Sequence, residues 1–228
     1  MPAIVEFERT LAGAIAAWRA DHSAITGFIG LLSNAELLKA AALMAFALAA
    51  ALRSGEPLLR ARNGFLLRFF AAGLAAIAAG RILQMTLPHR DRPIVALADW
   101  ASRSAFGAES SFPSDHAVYM AAMATAIVFI DRKIGALAVA WTAFIVLLPR
   151  VLLNYHYPTD IIAGAAIGAV IAGLFMKAPV PRSVIDGAAA AATKAPHVVY
   201  PLLFLLAFEA GTNFELTRAG VDALLRLF

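Results

Sequence analysis

The sequence predicts an all-α polytopic membrane protein: a bundle of six transmembrane helices with interfacial helices at its N- and C-terminal ends. Two observations carry that expectation. Hydrophobic residues make up 61% of the 228, with a mean hydropathy of +0.77, far beyond the composition of a soluble domain. Apolar stretches approaching or reaching bilayer length recur six times, with charged residues gathered in the breaks between them. Composition also excludes chemistries. There is no Cys, so disulfides, thiolate metal sites and Cys nucleophiles are ruled out. The net charge of +4 comes without a basic cluster interleaved with aromatics, so no nucleic-acid partner is expected.

The elements follow in order. Residues 3–20 carry Glu6, Glu8, Arg9 and Arg19 at amphipathic spacing, unlike the basic start and apolar core of a secretory signal, and predict an interfacial helix. The run 24–32 is also apolar, but "SNAE" at 33–36 reads as a helix start capped by Ser33 or Asn34, leaving the preceding piece interfacial. Spans are expected near 35–52, 65–87, 116–130, 134–150, 159–176 and 197–213. The third and fourth are joined only by Asp131, Arg132 and Lys133 and predict an antiparallel hairpin. In the fifth, Gly164 and Gly168 stand at GxxxG spacing; close packing inside the protein is the favoured reading and a homo-oligomer interface the alternative. "KAPVPRS" at 177–183 predicts a hinge into an Ala-rich amphipathic segment. The whole chain, 1–228, is expected to form one integral membrane domain.

Charge sets the expected orientation. The loops 53–68, 131–133 and 177–194 hold nine Lys and Arg against three acidic residues, which marks them as cytoplasmic. The loops 88–115 and 149–158 then face outward, and they collect the unusual polar residues: "HRDRP" at 89–93, "SFPSDH" at 111–116 and "PRVLLNYHYPTD" at 149–160. Trp18, Trp100, Tyr155 and Tyr157 fall where an aromatic belt is expected. His22 and His197 read as interfacial and His89 as a solvated loop residue.

His156 and Asp160 lie four apart, with Pro158 suited to the first turn of a helix. A carboxylate there can hold an imidazole and stabilise its charged form, or simply sit near a helix N-terminus beside a solvated His. Ser114 suits an N-cap of the third span, and a capped N-terminus is also an anion site. Two such helix ends, two histidines, Arg92 and Arg150 on one side describe a phosphate pocket; either Arg alone reads more simply as an interfacial charge.

These three segments resemble the signature of the type 2 phosphatidic acid phosphatase superfamily: K-x6-R-P, then P-S-G-H, then S-R-x5-H-x3-D. The matches are Arg92–Pro93, then Pro113–Ser114 with His116, then Arg150, His156 and Asp160. They cover roughly 65–176, the expected catalytic core. Three positions depart. Met85 stands at the family's Lys, Pro149 at the first Ser of the third motif, and Asp115 at the Gly. Arg81, one turn before Met85, is the candidate replacement for the Lys. "SFPSDH" is similar to the bacterial undecaprenyl-diphosphatase branch of the superfamily.

The resemblance implies phosphoryl transfer without metal or other cofactor in a bacterial inner membrane, with the site on the outer face. His156 would be the nucleophile, giving a phosphohistidine, Asp160 its orienting carboxylate and His116 the proton donor. Arg92, Arg150, Ser114 and, with less support, Asp115 and Arg81 would bind a lipid diphosphate. Another lipid phosphate is the alternative substrate: phosphatidylglycerol phosphate, lipid A or a lipid-linked glycan precursor. A catalytically degenerate assembly partner is the non-enzymatic alternative. Asp115 is expected either to pair with Arg81 or Arg90, or to contact the leaving phosphate. On either account Asp115→Gly should shift preference from diphosphates toward monophosphates.

Overall fold

The computed structural model describes residues 2–53, 61–97 and 110–211, the side chains of Pro2, Glu36, 61–63 and 210–211 excepted. Among the described residues all regular structure is helical. Helix α1 (Pro2–Asp21) and α2 (Ser23–Asn34) precede a short turn of 3-10 helix at Glu36–Leu38 and α3 (Ala40–Leu52). Next come α4 (Ala61–Thr86), a short α5 (Pro93–Leu97) and α6 (Asp115–Ile130). Helix α7 (Arg132–Leu152), α8 (Pro158–Lys177), α9 (Arg182–Lys194) and α10 (Pro196–Gly211) follow. Trp100, Arg60 and the rest of 54–60 and 98–109 lie outside the described residues.

By length and composition three helices among the described residues can cross a membrane: Gly64–Thr86 within α4, Arg132–Leu152 and Pro158–Lys177. A fourth is reached if α9 and α10, bent by 116° at their junction, count as one broken span. Two more of the six expected spans are apolar but short, α3 at 13 residues and α6 at 16. The "SNAE" expectation is corrected. Ser33 and Asn34 finish α2 instead of starting a helix, and the Ala35 N–H closes it on the carbonyls of Leu31 and Leu32. The apolar run before them is itself helical, so its last carbonyls need satisfying first.

Helix α6 is the centre of the bundle and packs against α3, α4, α7 and α8. That explains its lack of a polar face, since a helix wrapped on all sides is apolar all round. Tyr119, Met120, Met123 and Ile127 meet Phe65 and Phe69 of α4, Leu43 of α3 and Val146 of α7 in one core. The expected hairpin forms. Asp131 ends α6 and caps α7 by accepting the N–H groups of Lys133 and Ile134 at 3.0 and 3.1 Å. Helix α7 is π-wound over Thr142–Leu147, just ahead of Pro149, which has no N–H to continue the regular ladder.

The α6–α8 contact positions the site. A Cβ on Gly164 would stand 2.7 Å from the Ser114 carbonyl oxygen, and one on Gly168 would strike the Val118 carbonyl and come 2.9 Å from the Ala122 nitrogen. The GxxxG spacing therefore serves packing within the chain. It brings two parallel helices together with both N-termini at one end, where the Ser114 N–H reaches the Asp160 carbonyl at 3.2 Å. The opposite end holds the basic segments: Arg53 pairs with Asp131 at 2.8 Å and Arg68 donates to the Met176 carbonyl at 3.3 Å.

Candidate active site

The three polar segments of the sequence meet at the N-termini of α6 and α8, bound to one another through their backbones. The Ser111 N–H donates to the Arg90 carbonyl at 2.7 Å and the Ile94 N–H to the Asn154 carbonyl at 2.8 Å. Beyond α7, the Arg150 carbonyl receives the N–H groups of Tyr155 and His156 at 2.9 and 3.3 Å. Asn154 turns that loop in the left-handed region, with φ of 58°, which Asn tolerates better than most residues. A tight loop thus ties Arg150 to His156.

His156 is buried. Its Nδ1 lies 3.0 Å from the Ser111 carbonyl oxygen. A carbonyl only accepts, so Nδ1 carries the hydrogen and the lone pair is on Nε2. Burial above all, then the Arg92 charge, holds the pKa of His156 down at about 3, with His116 and Arg150 pushing the same way and Asp115 opposing. The imidazole is therefore neutral around pH 7, as a nitrogen nucleophile requires. The charges of Arg92, Arg150, His116 and Asp115 are thus all felt at this ring.

Asp160 differs in detail from the sequence expectation. Its Oδ2 is 3.9 Å from His156 Nδ1, beyond hydrogen-bond reach. That oxygen instead accepts the Ser111 hydroxyl at 2.5 Å and the Tyr157 N–H at 2.8 Å, because Asp160 is the third residue of α8 and closes its N-terminal capping box. Ser111 stands between the two, with its hydroxyl oxygen 3.4 Å from Nδ1. The hydrogen-bonded path from the carboxylate to the ring runs through Ser111. The other oxygen, Oδ1, accepts from Arg90 at 2.6 Å.

Ser114 is the N-cap of α6, with its side chain accepting the Ala117 N–H at 3.4 Å. Asp115 and His116 open the helix, and Asp115 Oδ1 lies 3.0 Å from His116 Nδ1. Arg92 and Arg150 are both buried. Arg90 is committed to Glu8, Thr159 and Asp160, which removes it as the expected partner of Asp115. Met85 is 82% exposed and turns away from the bundle. Beside it Gln84, 8% exposed, donates from Nε2 to the Pro113 carbonyl at 3.0 Å and receives Arg81 on its Oε1 at 3.4 Å. Arg81 thus lies along α4 toward the second motif. Tyr155 and Tyr157 both face arginines of the site: the Arg150 guanidinium lies 5.9 Å from the Tyr155 ring centroid, and that of Arg90 4.2 Å from Tyr157. His89 is exposed beside Asp91 at 3.2 Å. Among the described residues no three His, Cys, Asp or Glu gather as metal ligands.

Sequence reasoning passed over Ser111, Glu8 and Thr159 as site residues and offered Arg90 only as a partner for Asp115. Ser111 stood inside the quoted "SFPSDH", and its place two residues before Pro113 was the available signal. Glu8 gave none, because nothing local links residue 8 to residue 159.

Two parallel helix starts, a buried neutral imidazole, a second imidazole with its own carboxylate and two buried guanidiniums form a site suited to a phosphoryl group. The chain belongs to the PAP2 superfamily, whose model matches residues 65–183. It is also similar to the undecaprenyl-diphosphatase BcrC of Bacillus subtilis (strain 168), 33% identical over 70 residues, which is 31% of this chain and 36% of that relative. No solved structure matches the chain.

Proposed function

We propose that this protein hydrolyses the diphosphate of a polyprenyl lipid, undecaprenyl diphosphate, to the monophosphate at the outer face of a bacterial inner membrane. The observation that carries the reading is the state of His156: neutral, held at Nδ1 by the Ser111 carbonyl, with Nε2 left for attack. Family membership and the name of the relative support the phosphatase class and the diphosphate.

In the first step His156 Nε2 bonds to the terminal phosphorus, and the bond from that phosphorus to the bridging oxygen breaks. His116 gives its proton to the departing lipid phosphate. Arg92, Arg150, Ser114 and the N–H groups at the two helix starts hold the equatorial oxygens, where charge must be met in a loose transition state. The ring of phosphorylated His156 is positive, and Asp160 opposes that charge through Ser111. In the second step His116 takes a proton from water, water attacks phosphorus, and inorganic phosphate leaves with the bonding pair returned to Nε2. Arginines and helix dipoles supply the positive charge, so the reaction is metal-independent.

The membrane arrangement follows the same reading. Helices α3, α4, α6, α7, α8 and α10 cross, the Arg53–Asp131 end faces the cytoplasm, and α1 and α9 lie at the interfaces. The head group then meets the polar end of the bundle while its tail stays in lipid.

The test is phosphate release from undecaprenyl diphosphate by purified protein in detergent, with and without excess chelator, alongside acid-labile, base-stable labelling of His156. Equal turnover in both conditions with label on His156 is the expected result. Magnesium-restored activity, or turnover without label at His156, overturns the mechanism.

A further inference from the structure

Helix α1 lies wholly outside the residues that the family model matches, yet it is built into the candidate catalytic centre. Glu8, 2% exposed, accepts both the backbone N–H and the hydroxyl of Thr159 on Oε1, at 3.0 and 2.7 Å. Its Oε2 accepts from Arg90 at 2.5 Å. The other guanidinium nitrogen of Arg90 reaches Asp160 Oδ1 at 2.6 Å and Thr159 Oγ1 at 2.9 Å. About three turns of α1 continue the attachment to the loop carrying His156. The Ala12 carbonyl receives Asn154 Nδ2 at 3.1 Å, and Arg19 donates to the Leu153 carbonyl at 2.9 Å. Positions 8, 12 and 19 share one helical face. Burial alone would raise the Glu8 pKa, but the bonds from Thr159 and Arg90 outweigh it and hold the carboxyl below its usual range. Glu8 is thus a charged group enclosed by the protein.

Arg90 sits between two carboxylates. An Arg90–Asp160 pair by itself is neutral, and its field at a positively charged His156 largely cancels. With Glu8 the group of three carries a net charge of −1, while Arg90 keeps Asp160 in place. We propose that Glu8 is a positioning residue of the phosphoryl-transfer site: acting through Arg90, it fixes Asp160 and leaves the Asp160 side of His156 negative as the ring gains charge. This rests on the phosphohistidine reading above. It gives α1 a role in turnover beyond attachment to the membrane surface.

The experiment uses full-length protein in detergent with undecaprenyl diphosphate and undecaprenyl monophosphate as substrates and orthovanadate as an independent probe of the phosphoryl site. Glu8→Gln keeps the shape and removes the charge. It is expected to lower kcat about tenfold or more with KM within about twofold of wild type, and to weaken vanadate binding by a similar factor. Glu8→Asp should recover part of kcat. In an Arg90→Met background Glu8→Gln should add no further loss, since the path runs through Arg90. Wild-type kcat and vanadate affinity in Glu8→Gln, with only a lower melting temperature, would make α1 a structural brace and overturn the proposal. Independent, multiplying losses in the double variant would do the same. If Glu8→Gln does not fold, the Glu8→Asp and wild-type comparison decides on the same two readouts. Failure of the lipid phosphatase reading looks different: the wild type would release no phosphate from either lipid, while vanadate would still report on Glu8.

Discussion

Asp115 Oδ1 lies 3.0 Å from Nδ1 of the very next residue, His116, and accepts the His116 backbone N–H at 2.7 Å. The carboxylate can only accept, so His116 Nδ1 donates, and Nε2 is the ring nitrogen that the proposed mechanism uses. A Gly at 115, as in the general family signature, could not do this. The residue expected from sequence to act on arginine or on substrate holds His116, the proton donor of the proposed mechanism.

That assignment reverses the expected effect of Asp115→Gly. An alkoxide leaving from a lipid monophosphate needs protonation far more than a phosphate leaving from a diphosphate. Loosening His116 should therefore lower kcat/KM for monophosphates by about tenfold more than for diphosphates. Steady-state assays on matched lipids check this. A shift of the ratio toward monophosphates would restore the direct contact between Asp115 and the leaving phosphate.

His156 gives a stability prediction whose sign is fixed. Its pKa is about 3 in the folded protein against an ordinary 6.5, so between these values the unfolded chain binds the extra proton. Stability contributed by the buried neutral ring is complete above about pH 6.5 and is lost progressively as pH falls toward about 3. His156→Gln should flatten the fall of melting temperature with acidification over that window, and should abolish turnover. A variant whose melting profile parallels wild type would mean that the ring is solvated.

Ser111→Ala keeps the carbonyl that holds His156 Nδ1 but deletes the hydroxyl on Asp160. A hydrogen bond to a charged group contributes about 1.5 to 3 kcal/mol, so kcat should fall roughly tenfold to a hundredfold with KM little changed. If kcat stays within twofold of wild type, Asp160 does not act on the ring through Ser111.

The motif residues were legible because they are local: a cap at Ser114, a proline at 158 that starts α8, and a carboxylate in its first turn are all set within a few residues. The hairpin at Asp131 and the close packing at Gly164 and Gly168 were legible for the same reason. What sequence could not give was contact between distant segments. Glu8 meets Thr159 across the fold, and Ser111 intervenes between Asp160 and His156. The start of α3 was also misjudged, because the apolar run expected as a span from residue 35 continues through the turn at Glu36–Leu38 before the helix begins at Ala40.

Arg92→Ala and Arg150→Ala should each cost about 2 to 4 kcal/mol of transition-state stabilisation if these buried guanidiniums hold phosphoryl oxygens. The loss should appear in kcat/KM for monophosphate and diphosphate alike, since both present the same terminal group. Losses below about threefold would leave the two residues as supports of the loops at 90–93 and 150–157.

The last prediction concerns the contact on which the geometry of both helix starts depends. At Gly168 an added Cβ would meet the backbone of Val118 and Ala122, and backbone inside a packed helix pair cannot swing aside as a side chain can. Gly168→Ala should therefore push α6 and α8 apart, at a cost of about 1 to 3 kcal/mol, visible as a lower melting temperature. It should also lower turnover, because the Ser114–Asp160 backbone bond spans the two helix starts. Gly173→Ala on the same helix is the control: its Cβ would meet only the Phe129 ring, at 4.0 Å, and Ala favours the helix by up to about 1 kcal/mol. That variant should melt at or above the wild-type temperature with unchanged activity. Equal behaviour of the two variants would show that α6 and α8 do not approach closely at Gly168, and the pairing of their N-termini into one phosphate site would fall with that contact.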